Sequence, residues 1–155
     1  MEDVRWLDDR EERAWRALQF MQMRLVGELA RRVAAESGLS YQDYVVLVAL
    51  TDRPDGRMRL FELGHSLGWE KSRLSHHVAR MAERGLVAKE PCDSDRRGAF
   101  VVVTKRGRKE IEAAAPGHVR AVRELFVDRL TPRQLDALGA ASEVVLAGLD
   151  EPRDE

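Results

Sequence analysis

The sequence predicts a mainly α-helical protein that carries one small β-hairpin. Apolar residues recur every three or four positions over most of the chain, which is typical of amphipathic helices, while residues 86–90 and 99–103 have the composition of paired strands. Between residues 60 and 104 the predicted order is short helix, turn, second helix and hairpin. That order is the layout of a winged helix-turn-helix, which places its second helix in a DNA major groove and its hairpin beside that helix.

Length and composition predict a single soluble domain spanning residues 1–155. Hydrophobic residues make up 44% of the chain and charged residues 34%, and no apolar run approaches the roughly 18 residues that span a bilayer. The N-terminus is acidic and lacks the pattern of a signal peptide. A single cysteine excludes an internal disulfide framework and is consistent with a reducing compartment. We therefore expect a cytoplasmic protein without membrane contact.

The distribution of charge points to a nucleic-acid partner. The chain as a whole has a net charge of −1, yet residues 53–110 carry +6 and the remainder carries −7. The basic excess thus coincides with the predicted winged helix, where contacts to DNA phosphates would require it.

Two helices are predicted before the helix-turn-helix. The first runs from about residue 8 to 36 with one apolar stripe and ends near Gly38. The second begins after Ser40, whose side chain can cap the helix together with Asp43 at the third helical position. Residues 45–50 are apolar on nearly every face, so this second helix is expected to be buried.

The remaining helices follow in order. Residues 59–67 and 70–84 form the helix pair, with Leu74, Val78 and Met81 of the second helix directed inward. Residues 105–129 are helical, but Pro116 should kink or split that helix. Thr131 starts a last helix that runs to about residue 149. The amphipathic segments 8–37 and 105–149 flank the winged helix (40–104), so they either pair with a second copy of the chain or pack on their own domain.

These motifs resemble the MarR family of bacterial transcriptional regulators. The resemblance rests on the helix pair, on the Asp95-Arg96-Arg97 motif of the wing, and on four flanking segments: residues 39–47, 84–87, 103–107 and 130–132. It extends over about residues 10 to 149. It implies a homodimer that binds double-stranded DNA at a pseudo-palindromic operator, usually as a repressor. It also implies release of DNA when a small aromatic or anionic effector binds near the dimer interface, or when a cysteine is oxidised.

The outward face of the second helix of the pair is predicted to contact DNA. Arginine can bind guanine in a bidentate manner, and serine and histidine can hydrogen-bond either base edges or phosphates. An ordinary solvated helix face would have a similar composition. The candidate DNA-binding residues on this helix are Lys71, Ser72, Arg73, Ser75, His76, His77 and Arg80.

The tip of the hairpin supplies a second group of candidates. Arg96 or Arg97 is expected to enter the minor groove, where narrow A·T tracts concentrate negative potential. Asp93 and Asp95 are interpreted as braces that orient an arginine or tighten the turn. Cys92 at the base of the hairpin could make a redox-sensing repressor, but the neighbouring carboxylates would raise the pKa of its thiol, and an incidental cysteine is the simpler interpretation.

Aromatic residues near the N-terminal helices suggest an effector pocket. Trp15, Tyr41 and Tyr44, with His118 near the predicted helix break, could line a cavity, although aromatic residues at helical spacing are more often plain core. Adjacent histidines on a helix point about 100° apart and chelate poorly, so we expect no metal site and no cofactor. Catalytic motifs are absent from the sequence, which argues against an enzyme. A winged-helix module that binds a protein partner is the competing class.

Overall fold

The computed structural model describes residues 4–92 and 95–150, and the side chains of residues 4–91 and 98–150. The described residues form six α-helices and one small antiparallel sheet, as the sequence predicts. They divide into two compact units, the first ending at His118 and the second beginning at Val119. The boundary between the two units falls inside the helix that runs from Lys105 to Leu125.

The elements keep the predicted order, with one additional strand. They are α1 Asp9–Ser37, α2 Tyr41–Thr51, β1 Arg57–Arg59, α3 Leu60–Leu67, α4 Lys71–Glu83, β2 Val87–Cys92, β3 Asp95–Val103, α5 Lys105–Leu125 and α6 Pro132–Asp150. A short 3-10 turn, Val127–Arg129, precedes α6.

Local capping explains where the first two helices begin and end. Gly38 closes α1 in the left-handed conformation (φ 74°), and its N–H donates to the carbonyl of Ala34 at 3.0 Å. Ser40 starts α2 by accepting a hydrogen bond from the Asp43 N–H at 3.0 Å, while Asp43 accepts one from the Ser40 N–H at 3.1 Å. The capping box predicted from the sequence is thus confirmed.

The sheet has the order β1-β3-β2, with both pairs antiparallel. The sequence did not predict β1, because three residues directly after a turn give too short a pattern to recognise. Met58 of β1 lies opposite Val101 of β3, and both side chains are buried. The short strand is therefore held by burial as well as by its ladder, and it widens the base of the hairpin.

The core of the first unit lies where α2, α3, α4 and the sheet meet. Its fully buried side chains include Val46, Leu47, Leu50, Leu63, Leu74, Val78, Met81 and Val101. Leu74, Val78 and Met81 confirm the predicted inward face of α4. The start of α5 packs tightly on this core, because a Cβ at Gly107 would lie 2.0 Å from the carbonyl oxygen of Leu86. Only glycine allows that approach.

Of the two effects predicted for Pro116, a kink or a split of the fifth helix, the split does not occur. Helix α5 continues through Pro116 from Lys105 to Leu125. Proline removes one backbone hydrogen bond, and the burial of Ile111 and Ala114 in the turns before it favours the continuous helix.

The second unit contains the end of α5, the 3-10 turn and α6. Thr131 begins α6 as predicted, since its hydroxyl accepts a hydrogen bond from the N–H of Gln134 at 3.3 Å and its own N–H donates to the Gln134 side chain at 2.9 Å. All residues of α6 are described, and none is buried. Its apolar residues Val144, Val145, Leu146 and Leu149 lie exposed.

Candidate nucleic-acid interface

Helix α4, the second helix of the helix-turn-helix, begins at an acidic cap. The Glu70 carboxylate accepts hydrogen bonds from the N–H groups of Ser72 and Arg73 at 2.8 and 3.2 Å, and from the Ser72 hydroxyl in a close contact. These bonds, the one from the Ser72 hydroxyl first, hold the pKa of Glu70 below its ordinary value. The cap fixes the first turn of α4 and occupies the hydroxyl of Ser72, which the sequence assigns to DNA contact.

Most of the predicted DNA-binding residues of α4 lie on one exposed face. Leu74, Val78 and Met81 fill the opposite, buried face. Ser75 is half-buried. The exposed candidates are Lys71, Ser72, Arg73, His76 and Arg80.

His77 is the exception, and its prediction as an outward residue is wrong. Its side chain is buried, with 8% of the residue exposed. Positions 74, 77, 78 and 81 have the i, i+3, i+4, i+7 spacing of an inward helix face, so the spacing itself places His77 inside. His77 was predicted to face outward because its side chain is polar, like that of its neighbour His76. Consecutive residues of a helix nevertheless point about 100° apart.

The buried histidine faces a carboxylate that sequence analysis identified only as a helix cap. Asp43 is 1% exposed, and its two carboxylate oxygens accept hydrogen bonds from both terminal nitrogens of Arg84, at 2.6 and 2.8 Å. The Nε2 atom of His77 lies 3.0 Å from the same carboxylate. Asp43 thus links the start of α2 to two positions along α4.

Opposing effects act on the acid–base behaviour of this pair. Burial alone would raise the pKa of Asp43, but its hydrogen bonds from Arg84 and Ser40 outweigh burial and hold that pKa below its ordinary value. Burial lowers the pKa of His77, aided by the charges of Arg80 and Arg84 and opposed by Asp43. Asp43 is therefore ionised and His77 neutral near pH 7.

A solvent-filled cleft of about 550 Å³ lies beside these groups. Arg73 and Arg80 of α4 and Arg84, which caps its C-terminus, line it together with Trp69, His77 and the residues that start α2. The guanidinium of Arg73 lies 4.7 Å from the centre of the Trp69 ring, within range of a cation–π interaction. Arg73 and Arg80 are among the DNA-binding residues predicted from the sequence. Arg84 is not, because its partner Asp43 lies 41 positions away along the chain.

The base of the hairpin carries a second basic cluster. Arg57 and Arg59 of β1 lie over the ring of Phe100 on β3, at 4.0 and 5.6 Å from its centre. Arg57 also approaches Glu90 of β2 at 3.6 Å. These contacts connect all three strands at the root of the hairpin. Asp93 lies outside the described residues, as do the side chains of Cys92, Asp95, Arg96 and Arg97, so their predicted roles remain predictions.

A separate pocket of about 450 Å³ contains three of the four predicted effector residues. The rings of Tyr41 and Tyr44 lie nearly parallel with centres 6.2 Å apart, and the His118 ring is 4.4 Å from Tyr44. The Nδ1 atom of His118 is buried and has no hydrogen-bond partner among the described residues. Trp15 is exposed on α1 and does not line this pocket, so its place in an effector site stays a prediction.

Burial disfavours the charged forms of the three ring side chains in this pocket. Burial raises the pKa of Tyr41 and of Tyr44, the latter helped by the neighbouring phenol, and burial lowers the pKa of His118. All three side chains are therefore neutral near pH 7.

None of the described His, Cys, Asp and Glu side chains forms a group of three suited to a metal ion. Among the described helices, none combines the length and the apolar composition needed to cross a bilayer.

Comparison with known proteins assigns the family. A model of the MarR family matches residues 37–98. The transcriptional regulator HosA of Escherichia coli O127:H6 is 36% identical over 98 residues, covering 62% of this chain and 69% of the relative.

Solved structures extend the match to nearly the whole chain. AbsC, a MarR family transcriptional regulator from Streptomyces coelicolor, is 38% identical with a TM-score of 0.85, covering 94% of this chain and 98% of its own. Sco3205, a MarR family transcriptional regulator of the same organism solved in complex with DNA, is 38% identical with a TM-score of 0.89, covering 98% and 95%. These are regulators and not enzymes, as the sequence predicts for this protein. The chain belongs to the MarR family of transcriptional regulators.

Proposed function

We propose that this protein is a repressor that binds a pseudo-palindromic DNA operator as a homodimer and releases it when a small effector binds. The observation that carries the proposal is the exposed face of α4, where Arg73, His76 and Arg80 share one side of a helix whose other side is buried, with Lys71 exposed in the first turn. Such residues supply both phosphate contacts and bidentate base contacts. The similar protein Sco3205 is described in complex with DNA, which supports the same partner here.

The homodimer is supported by apolar surface at both ends of the chain. In the first unit, Trp15, Phe20 and Met23 of α1 are exposed, and in the second unit Val145 and Leu149 of α6 are exposed. Monomeric soluble proteins rarely leave such surface in contact with water, so a second copy of the chain is the partner we infer. Two copies related by a two-fold axis would present two α4 helices to two half-sites.

In vitro selection of bound DNA from a random library, at two salt concentrations, tests the operator. We expect an inverted repeat with half-sites about one helical turn apart, and an affinity that falls steeply with salt. If a folded dimer enriches no sequence, DNA binding is not its function under those conditions, and capture of a protein partner in a salt-insensitive manner would support the competing interaction module.

The pocket of Tyr41, Tyr44 and His118 is the effector site we infer. Its lining includes the neutral rings of Tyr41, Tyr44 and His118, which favour a flat ring between the side chains. Asp52 and Arg53 also line the pocket, and Arg53 would suit an anionic substituent. Benzoate, phenol and cyclohexanecarboxylate separate the aromatic from the anionic requirement.

Calorimetric titration of each probe, followed by competition with the selected operator, tests this site. We expect benzoate to bind and to weaken operator binding, and Tyr44→Ala to abolish both effects. Val48, also in the pocket lining, provides a milder control as Val48→Ala. Benzoate binding that survives Tyr44→Ala would place the effector elsewhere. The redox alternative is tested by operator binding before and after treatment with peroxide, with Cys92→Ser as its control.

A further inference from the structure

A buried histidine lies at the centre of the contacts that hold the exposed arginines of α4. His77 points away from solvent, yet its ring touches groups on three sides: Asp43 of α2, Arg80 one turn further along α4, and Trp69 just before α4. Burying a neutral imidazole among charged groups is unfavourable unless its nitrogen atoms are used. The two nitrogens therefore define what the residue does.

The first contact fixes Arg80. The Nη2 atom of Arg80 lies 3.2 Å from Nδ1 of His77. A guanidinium can only donate a hydrogen bond, so Nδ1 must accept, and the ring proton must be on Nε2. Nε2 lies 3.0 Å from the Asp43 carboxylate, so the N–H dipole of the neutral ring faces a negative charge without an aligned hydrogen bond. The carboxylate thereby favours the tautomer in which Nδ1 is free to hold Arg80.

The second contact reaches Arg73 through an aromatic ring. The His77 and Trp69 rings meet edge to face, with centres 5.4 Å apart and planes at 86°. Arg73 lies over the Trp69 ring at 4.7 Å. The ring of His77 therefore helps to position the Trp69 indole, and the indole in turn lies against the Arg73 guanidinium.

We propose that His77 is a positioning residue for DNA recognition, which orients Arg80 through its Nδ1 atom and Arg73 through Trp69. The inference rests on the proposed DNA-binding function. Asp43 and Arg84 anchor the histidine to the start of α2, so the two arginines enter DNA already oriented. Preorganised side chains lose less conformational entropy on binding, and the gain is largest for bonds that demand defined geometry. His77 should therefore affect sequence preference more than overall affinity.

Two substitutions separate the two contacts. His77→Asn keeps a side-chain oxygen that can accept from Arg80 in place of Nδ1, but it removes the ring against Trp69. His77→Phe keeps the ring but removes both nitrogens. Val78→Ala is the matched control, because it perturbs the fully buried neighbour on α4 without touching either arginine.

The measurement is the affinity of each variant for the selected duplex, for that duplex with single base changes, and for a random duplex of equal length. We expect His77→Phe to lose about tenfold in preference for the selected duplex, at the same bases as Arg80→Ala. His77→Asn should instead lose preference at the bases affected by Arg73→Ala. Thermal unfolding of each variant reports its folding, and Val78→Ala should unfold earlier with its base preference unchanged.

Three results would overturn the inference, and each is distinct. Wild-type base preference in both His77 variants would remove the residue from recognition. An equal loss for selected and random duplexes, matching that of Val78→Ala, would mean that His77 only supports the fold. Failure of the wild-type protein to select any DNA would overturn the proposed function itself.

A pH profile gives an independent readout. Protonated Nδ1 cannot accept from Arg80, and the groups facing it are Asp43 from α2 and Arg80 and Arg84 from α4. We expect the preference for the selected duplex to fall as pH drops below the ordinary histidine range in the wild-type protein, and not in His77→Asn. Identical profiles in the two proteins would contradict the assignment.

Discussion

Helices α2 and α6 are both rich in apolar residues, yet they differ in how much of their apolar surface is buried. Five residues of α2 are buried: Asp43, Tyr44, Val46, Leu47 and Leu50. Helix α6 is longer and exposes its apolar side chains, among them Val145 at 62% and Leu149 at 65%. Helix α2 packs against other elements of its own unit, whereas the apolar side chains of α6 remain in contact with solvent.

The difference is what the proposed homodimer predicts, because a winged helix that packs within one chain would need no partner and an exposed α6 would. Burial of an apolar side chain stabilises by about 1.5–3 kcal/mol, so the exposed face of α6 represents stabilisation still available from a partner. We therefore expect substitutions in α2 to affect folding and substitutions in α6 to affect assembly.

The largest effect that would test this comparison is expected from Val145→Glu. A charge on the proposed interface should yield a folded monomer of 17.6 kDa and weaken operator binding by at least about 100-fold, because the two half-sites would no longer be linked. Light scattering and DNA titration measure both. Ala140→Glu, about 140° around α6 from Val145, should leave the dimer intact. A Val145→Glu monomer that binds the full operator normally would contradict the dimer.

Core substitution should distinguish the two helices by concentration dependence. Leu47→Ala removes a fully buried side chain and should cost about 2–5 kcal/mol of unfolding free energy. If α6 forms the proposed dimer interface, Leu149→Ala should shift the unfolding midpoint by an amount that changes with protein concentration. Urea unfolding at several concentrations separates them. Concentration-independent behaviour of Leu149→Ala would argue against its place in an interface.

The polar contacts of α2 should matter nearly as much as its apolar ones. Asp43→Ala leaves Arg84 and His77 without their carboxylate and should cost about 3 kcal/mol, near the lower end for a broken buried pair because Arg84 keeps access to solvent. Asp52→Ala, an exposed acid at the other end of α2, should change stability by less than about 0.5 kcal/mol. Equal effects from both would assign the cost of Asp43→Ala to helix capping or charge alone.

The arginines of the wing should affect DNA binding without affecting assembly. Arg96→Ala or Arg97→Ala should weaken operator binding by about 1–3 kcal/mol if either arginine enters the minor groove. The mass of the dimer should not change. Unchanged affinity in both single variants and in the double variant would exclude the wing from recognition.

The smallest effect is the pH dependence of folding in the first unit. Because burial lowers the pKa of His77 and His118, the unfolded chain takes up protons at a higher pH than the folded protein does. Unfolding free energy should thus fall as pH drops below about 6.5, down to the folded pKa values. Asp43, whose pKa is lowered, loses its contribution only at more acidic pH, below about 4. In the double variant His77→Asn and His118→Asn, the fall in unfolding free energy below about pH 6.5 should be smaller. Chemical unfolding at each pH measures it.

Much of the fold was predictable because its signals are local. Caps at Ser40 and Thr131, the stop at Gly38 and the inward spacing of Leu74, Val78 and Met81 each depend on residues within one or two turns. The exposed face of α4 was predictable for the same reason. Strand β1 was not, since three residues carry no usable period, and the continuity of α5 through Pro116 depends on packing that no local rule describes.

The order of helices and strands, the family resemblance and the basic face of α4 follow from the amino-acid sequence, because periodicity, capping and charge are properties of neighbouring residues. The contacts of Asp43 with Arg84 and His77, and the pocket that Tyr41, Tyr44 and His118 share, are visible only in the folded chain. Those groups come from elements up to 77 positions apart, from Tyr41 to His118. Their contacts arise when a shared core brings the helices together, and no spacing along the chain encodes that distance.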